Sequence, residues 1–181
     1  DQEFAEACVR RRVVYHGKMV DFRADRIRLP NGMLAQREFM DHPGAVGVLP
    51  LLPGGLVVMV RQYRYPVAET TYEIPAGKLA KGENPLSCVR RELREETGYT
   101  ARSIKPLMQY WPTPAFANEL LHLYVARDLK PGRMSPDEDE FLTAEAIPVK
   151  RAIGWVFSGR IRDSKTVISL LACRALGLAL P

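Results

Sequence analysis

Apolar and polar positions change rhythm several times along the chain. From Arg11 to Gly44, short alternating runs are broken at His16–Gly17 and Asn31–Gly32, which predicts extended strands joined by tight turns. Two nearly continuous apolar runs follow, Ala45–Leu52 and Leu56–Arg64, joined by Pro53-Gly54-Gly55. They predict a hairpin in the core. Thr71–Gly77 predicts a short strand stopped by Pro75 and Gly77. The period then becomes helical. Leu86, Val89 and Leu93 make one stripe, Asn84 suits the N-cap, Pro85 the first helical position and Gly98 the position just past the end. Strands are expected again at Thr100–Tyr110 and Glu119–Leu129, an acidic loop at Ser135–Glu140, and extended chain at Phe141–Pro148. The remainder, Val149–Leu180, predicts two helices divided near Ser158–Gly159.

Strands, one central helix, more strands and terminal helices describe a mixed α/β (α+β) layer arrangement, not a regular βαβ repeat. Its 181 residues, 46% hydrophobic and 26% charged, suit a globular chain with a sizeable core. No apolar run is long enough to span a membrane, and the first residues carry no signal-peptide-like apolar region. Three widely spaced cysteines without a CxxC pair indicate free thiols in a reducing compartment, so a cytoplasmic location is expected. The net charge of +5 favours phosphorylated ligands, while helix-turn-helix, RNA-recognition and zinc-finger signatures are absent. Nucleic acid and membrane are therefore not expected partners.

The central helix is crowded with acids. At 100° per residue, with Leu86 at zero, Val89 and Leu93 fall at about 300° and 340°, Glu92 and Glu96 at about 240° and 280°, and Glu95 at about 180°. Glu92 and Glu96 thus stand one turn apart beside the buried stripe. Like charges at that spacing weaken a helix, and half-buried carboxylates cost more unless paired or metal-bound. A hard divalent cation such as Mg²⁺ or Mn²⁺, taking oxygen ligands, resolves both costs. The competing reading is a solvated face laced with pairs such as Arg91–Glu95. A glycine-bearing loop before the helix and a second acid cluster, Asp137–Glu140, add weight to the metal.

Gly77, then Glu83, then Arg91-Glu92-Leu93-Arg94-Glu95-Glu96-Thr97-Gly98-Tyr99 fills every fixed position of the Nudix box, G-x5-E-x7-REUxEExGU with U a bulky apolar residue. The chain resembles the Nudix hydrolases on these residues. The resemblance implies a Nudix fold, mixed sheets sandwiched with helices, carrying an additional N-terminal antiparallel strand region. It implies that Glu92 and Glu96 are the principal metal ligands, assisted by Glu95 and the backbone carbonyl of Ala76. Glu83 and Arg91 are expected to brace loop against helix.

The segments HPGAVGVLPL, MVRQYRYPV, YEIPAGKL, PTPAFANE and DEDEF resemble the ADP-ribose pyrophosphatase subfamily over nearly the whole chain. Two positions depart from it: Ala115 stands where glycine is usual and Asn118 where aspartate is common. The resemblance implies metal-dependent hydrolysis of ADP-ribose to AMP and ribose 5-phosphate, with another nucleoside diphosphate sugar as the alternative substrate and a non-catalytic nucleotide-binding module as the remote one. Glu138 and Glu140 are the candidate bases for the attacking water, with Glu138 favoured. Arg64 is expected on a phosphate, Arg61 on substrate or bracing the sheet, and Glu119 on ribose or adenine. Pro114 marks the substrate loop, and Phe22 and Phe116 are candidate stacking faces. His42 and His122 are expected to be structural. Residues 1–42 are expected to contribute to a two-fold homodimer, with the Nudix domain at 43–181.

Overall fold

A computed structural model describes residues 2–178. The chain forms two compact units, one built from residues up to Gly44 with Trp111–Leu120, the other from Ala45–Tyr110 and residues from Leu121 onward.

In the smaller unit, strands β1 (Ala7–Arg10), β2 (Val13–His16), β3 (Asp21–Arg28) and β4 (Leu34–Asp41) form an antiparallel sheet centred on β3. β4 pairs along the whole of β3, while β1 and β2 share its other edge. The expected turn at Asn31–Gly32 is present, with Gly32 at φ +86, a conformation that glycine adopts without steric cost. Every residue of β1 and β2 is exposed.

The larger unit holds β5 (Ala45–Leu52), β6 (Leu56–Arg64), β7 (Glu69–Glu73), β8 (Ala76–Lys78), β9 (Thr100–Tyr110), β10 (Leu121–Lys130) and β11 (Leu142–Pro148). Helices α1 (Pro85–Thr97), α2 (Val149–Phe157) and α3 (Ser164–Ala175) complete it. The expected hairpin of β5 and β6 exists, but only Leu51–Val57 and Leu52–Leu56 pair. Beyond them the strands splay: β5 pairs with β10 and β8, and β6 with β11 and β7. The physical reason is that both runs are apolar on both faces, so each must be covered twice. On β5, Ala45, Leu49 and Leu51 join the main core with Met59, Ile74, Leu123 and Leu170, whereas Val46 and Val48 face a second cluster with Cys88, Val89 and Leu93 of α1.

Instead of one strand through Thr71–Gly77, two form. Pro75 has no N–H to donate, so the ladder to β6 ends at Glu73, and Ala76–Lys78 pairs afresh with β5. The central helix is capped as its sequence dictates: the Asn84 side chain accepts from the Leu86 N–H at 2.9 Å, and Gly98, at φ +74, donates to the Arg94 carbonyl at 2.8 Å. Asp163 caps α3, accepting from the Thr166 N–H at 3.0 Å. Ala179 and Leu180, at the end of the expected last helix, lie outside the described residues. No helix among the described residues is long and apolar enough to cross a membrane.

The second cluster is what seats α1. Leu93 is fully buried at its centre, so Leu93→Ala is expected to cost about 2–5 kcal/mol in chemical denaturation. A loss below about 1 kcal/mol would show that α1 does not depend on this contact.

Candidate active site

The geometry begins where β8 meets α1. Glu92 and Glu96 are 7% and 2% exposed, so the two acids that helical spacing placed beside the apolar stripe are in the interior. The Ala76 N–H donates to Glu96 Oε2 at 3.0 Å. Glu92 lies directly against Gly77: a Cβ on that glycine would stand 1.9 Å from Glu92 Oε1. Gly77 is thus needed for close approach, since its φ is not left-handed. Burial pushes the Glu96 carboxyl up to about 8, with the Ala76 hydrogen bond opposing and the Glu92 charge adding to the rise. Burial also raises Glu92 to about 6, partly offset by Arg91.

Arg91 joins the loop to the helix. Its Nε and Nη2 donate to the two oxygens of Glu83, each at 3.2 Å, while Nη1 donates to Glu92 at 2.5 Å and Glu95 at 3.1 Å. Glu83 also accepts from the Ala80 N–H at 2.9 Å, closing the loop on itself. The Arg91–Glu95 pair anticipated as a solvated alternative therefore coexists with the buried pair. No three His, Cys, Asp or Glu side chains among the described residues converge as a ready-made metal cage. Arg91 already engages Glu92 and Glu95.

The acidic loop is fastened to the end of α1. Ser135 N–H donates to the Glu95 carbonyl at 3.0 Å, and Gly98 faces Gly132 so closely that a Cβ would stand 2.7 Å from the Gly132 oxygen. Asp137–Glu140 closes a turn, with the Glu140 N–H donating to the Asp137 carbonyl at 3.0 Å. The half-buried Glu140 is close enough for its charge to raise both Glu92 and Glu96. Glu138, on the same turn, is exposed.

Arg64, at the end of β6, makes a side-on fork to Glu73: Nε to Oε1 at 2.8 Å and Nη2 to Oε2 at 2.7 Å. Glu73 also accepts from Thr71 Oγ1 at 2.6 Å and from Lys165 Nζ at 2.5 Å. Burial alone would raise this carboxyl, but Arg64 and Lys165 hold it well below the usual range. Lys165 also donates to Asp163 at 2.8 Å, and Thr166 Oγ1 accepts from the Ile74 N–H at 2.9 Å. Sequence reading missed this network. Its one local signal was Asp163 as a helix cap, because Lys165 and Glu73 are far apart in the chain. Arg61 is exposed, with its guanidinium 5.8 Å from the Tyr72 ring centre.

Phe22, Pro114, Phe116 and Glu119 belong to the smaller unit. There the Pro114–Glu119 segment is stitched to β4: the Met40 N–H donates to the Phe116 carbonyl at 2.9 Å, and Met40 lies opposite Phe22 in the β3–β4 ladder. Phe22 and Phe116 are exposed, as is Pro114. Glu119 lies 4.0 Å from His42 Nε2, and His42 Nδ1 accepts from the Gly44 N–H at 3.0 Å. Asn118 clamps the segment, donating to Asp41 at 2.6 Å and accepting from the His42 N–H at 2.7 Å. Ala115 adopts no positive φ, so its methyl group is accommodated without backbone strain. His122 Nδ1 lies 3.0 Å from Gln109 Nε2, a cross-strand contact.

Residues 41–168 match the profile of the NUDIX domain. The chain is 41% identical to a methanol dehydrogenase activator from Bacillus methanolicus, over 92% of this chain and 91% of that protein. It is 38% identical to an ADP-ribose pyrophosphatase from Bacillus subtilis (strain 168), over 91% and 90% respectively. Its fold matches the crystal structure of an ADP compounds hydrolase with a TM-score of 0.82 at 20% identity, over 94% of this chain and 93% of that one. A complete box, the helix and loop that it builds and this family-wide likeness agree: the chain belongs to the Nudix family and is a Nudix hydrolase.

Proposed function

We propose that this hydrolase consumes one water to cleave the diphosphate of ADP-ribose, giving AMP and ribose 5-phosphate. The observation that carries the substrate is the nearly full-length likeness to the Bacillus subtilis ADP-ribose pyrophosphatase. The chemistry of the box would serve another nucleoside diphosphate sugar equally well, which makes that class the alternative.

Glu92 and Glu96, with Glu95 and the Ala76 carbonyl, would hold Mg²⁺ or Mn²⁺. The donors are all oxygen, and burial raises both carboxyls, so a bound cation would restore their ionised form. When bound, such a cation supplies neutralisation of the diphosphate charge and activation of water. Arg91 holds Glu83, Glu92 and Glu95 in one constellation. Glu138 and Glu140 are the candidates to accept the proton of the attacking water, and the reach of the Glu140 charge to the acid pair favours Glu140. Arg64 offers a phosphate the guanidinium edge that Glu73 leaves unused. Arg61 stands on the same strand as a second phosphate contact or a brace. Phe22 and Phe116 supply stacking faces for adenine, Glu119 accepts from hydroxyl or amino groups, and Pro114 shapes the substrate segment.

We assign the enzyme to the cytoplasm and to a homodimer in which residues 1–42 contribute the contact and 43–181 form the catalytic domain. The exposed strands β1 and β2 support that reading. Sedimentation at micromolar concentration is expected to give a dimer; a monomer at all concentrations would remove it.

With ADP-ribose and Mg²⁺, chromatography is expected to show AMP, and a panel of nucleoside diphosphate sugars is expected to rank ADP-ribose first. No AMP at high enzyme concentration would refute the reaction, and a different best sugar would refute the substrate. Glu96→Gln removes charge but little volume. It is expected to lower kcat by about a hundredfold or more with the circular dichroism spectrum intact; near-normal turnover would remove Glu96 from the metal site.

A further inference from the structure

We propose that Lys165 is a positioning residue for the substrate's diphosphate, acting through Glu73 to fix and orient Arg64. The inference rests on the reading of Arg64 as a phosphate contact.

A guanidinium has five N–H donors, and the side-on fork to Glu73 uses one from Nε and one from Nη2. Both donors of Nη1 and the second of Nη2 remain, which is one complete bidentate edge matched to phosphate geometry. The Arg64 side chain is 43% exposed, whereas that of Glu73 is only 2% exposed. The inner edge is therefore anchored in the protein and the outer edge faces solvent.

What fixes the anchor is the set of four donors around Glu73. Arg64 and Thr71 meet Oε1, and Arg64 and Lys165 meet Oε2, leaving the carboxylate little freedom to rotate. Lys165 is 9% exposed and is itself gripped by Asp163 at the start of α3. Without its ammonium, Glu73 would be opposed by Arg64 alone. The arginine's charge would then be drawn inward and its outer edge released from one orientation. Lys165 also lies within electrostatic range of Glu96, as does Arg64, so the network borders the acid pair of the box. Nothing in the Nudix box itself specifies this support, which comes from the N-terminal end of the last helix.

A positioning role separates from a purely structural one in the kinetics. With ADP-ribose and saturating Mg²⁺, Lys165→Met is expected to raise KM about tenfold while kcat falls less than about threefold, since a charge-assisted contact to the substrate is weakened. Arg64→Ala should raise KM at least as much, and the double variant should be no worse than Arg64→Ala alone. If the methionine variant does not fold, Lys165→Gln, which keeps a donor for Glu73 without the charge, is expected to show the same split. An unchanged KM in the folded Lys165 variant, beside a raised KM in Arg64→Ala, would overturn the inference and leave the Arg64 reading standing. Independent, multiplying effects of the two substitutions would also overturn it. An unchanged KM in Arg64→Ala would overturn both.

Discussion

Two glutamates buried one helical turn apart on α1, where burial disfavours their charged form, are the constraint on which the site in the larger unit depends. Glu96 is tied to the Ala76 N–H, and Glu92 lies so close to Gly77 that a side chain there would displace its carboxylate. Both contacts require β8 to run directly beside α1. β8 exists as a separate strand because Pro75 ends the ladder to β6 and the chain re-pairs with β5. β5 in turn seats α1 through Val46 and Val48. A buried carboxylate that is not neutralised is expensive. Burial shifts both glutamates toward the protonated form, with Arg91 opposing at Glu92, and a bound cation would favour the ionised pair.

Charge around the pair is graded. Arg91 lies on its outer side and shares one guanidinium among Glu83, Glu92 and Glu95, so the loop before the helix and the helix itself share one cation. Glu140 approaches from the acidic loop, which Ser135 and the Gly98–Gly132 contact fasten to the end of α1. On the other flank, Arg64 and Lys165 converge on Glu73. On the proposed reading, the acids would handle a cation and a water, and the arginine an arriving anion.

Much of this was legible in the sequence, for identifiable reasons. Asn84, Pro85 and Gly98 carry local conformational preferences strong enough to fix the ends of α1, and the 100° helical step alone put Glu92 and Glu96 beside the buried stripe. Other features depend on contacts that no local pattern encodes. Pro53-Gly54-Gly55 announces a hairpin but not that β5 and β6 part after two residue pairs. Where the acidic loop is anchored, at Glu95 and Gly98, is not written in its composition. Lys165 and Glu73 meet across 92 residues of chain, so a lysine inside an unremarkable helix start gave no warning of a buried ion network.

If the buried pair forms the metal site, its protonation must answer to a divalent cation, which a carbon-13 NMR titration of the Glu96 carboxyl in the folded protein, with and without Mg²⁺, reads directly. In the metal-free protein the midpoint is expected at about 8, and Glu96→Gln should remove that signal. Saturating Mg²⁺ should bring the midpoint below about 5, because a bound cation favours the ionised form. A midpoint near the ordinary glutamate value of about 4.3 in the metal-free protein, unmoved by Mg²⁺, would rule out a metal site at this pair.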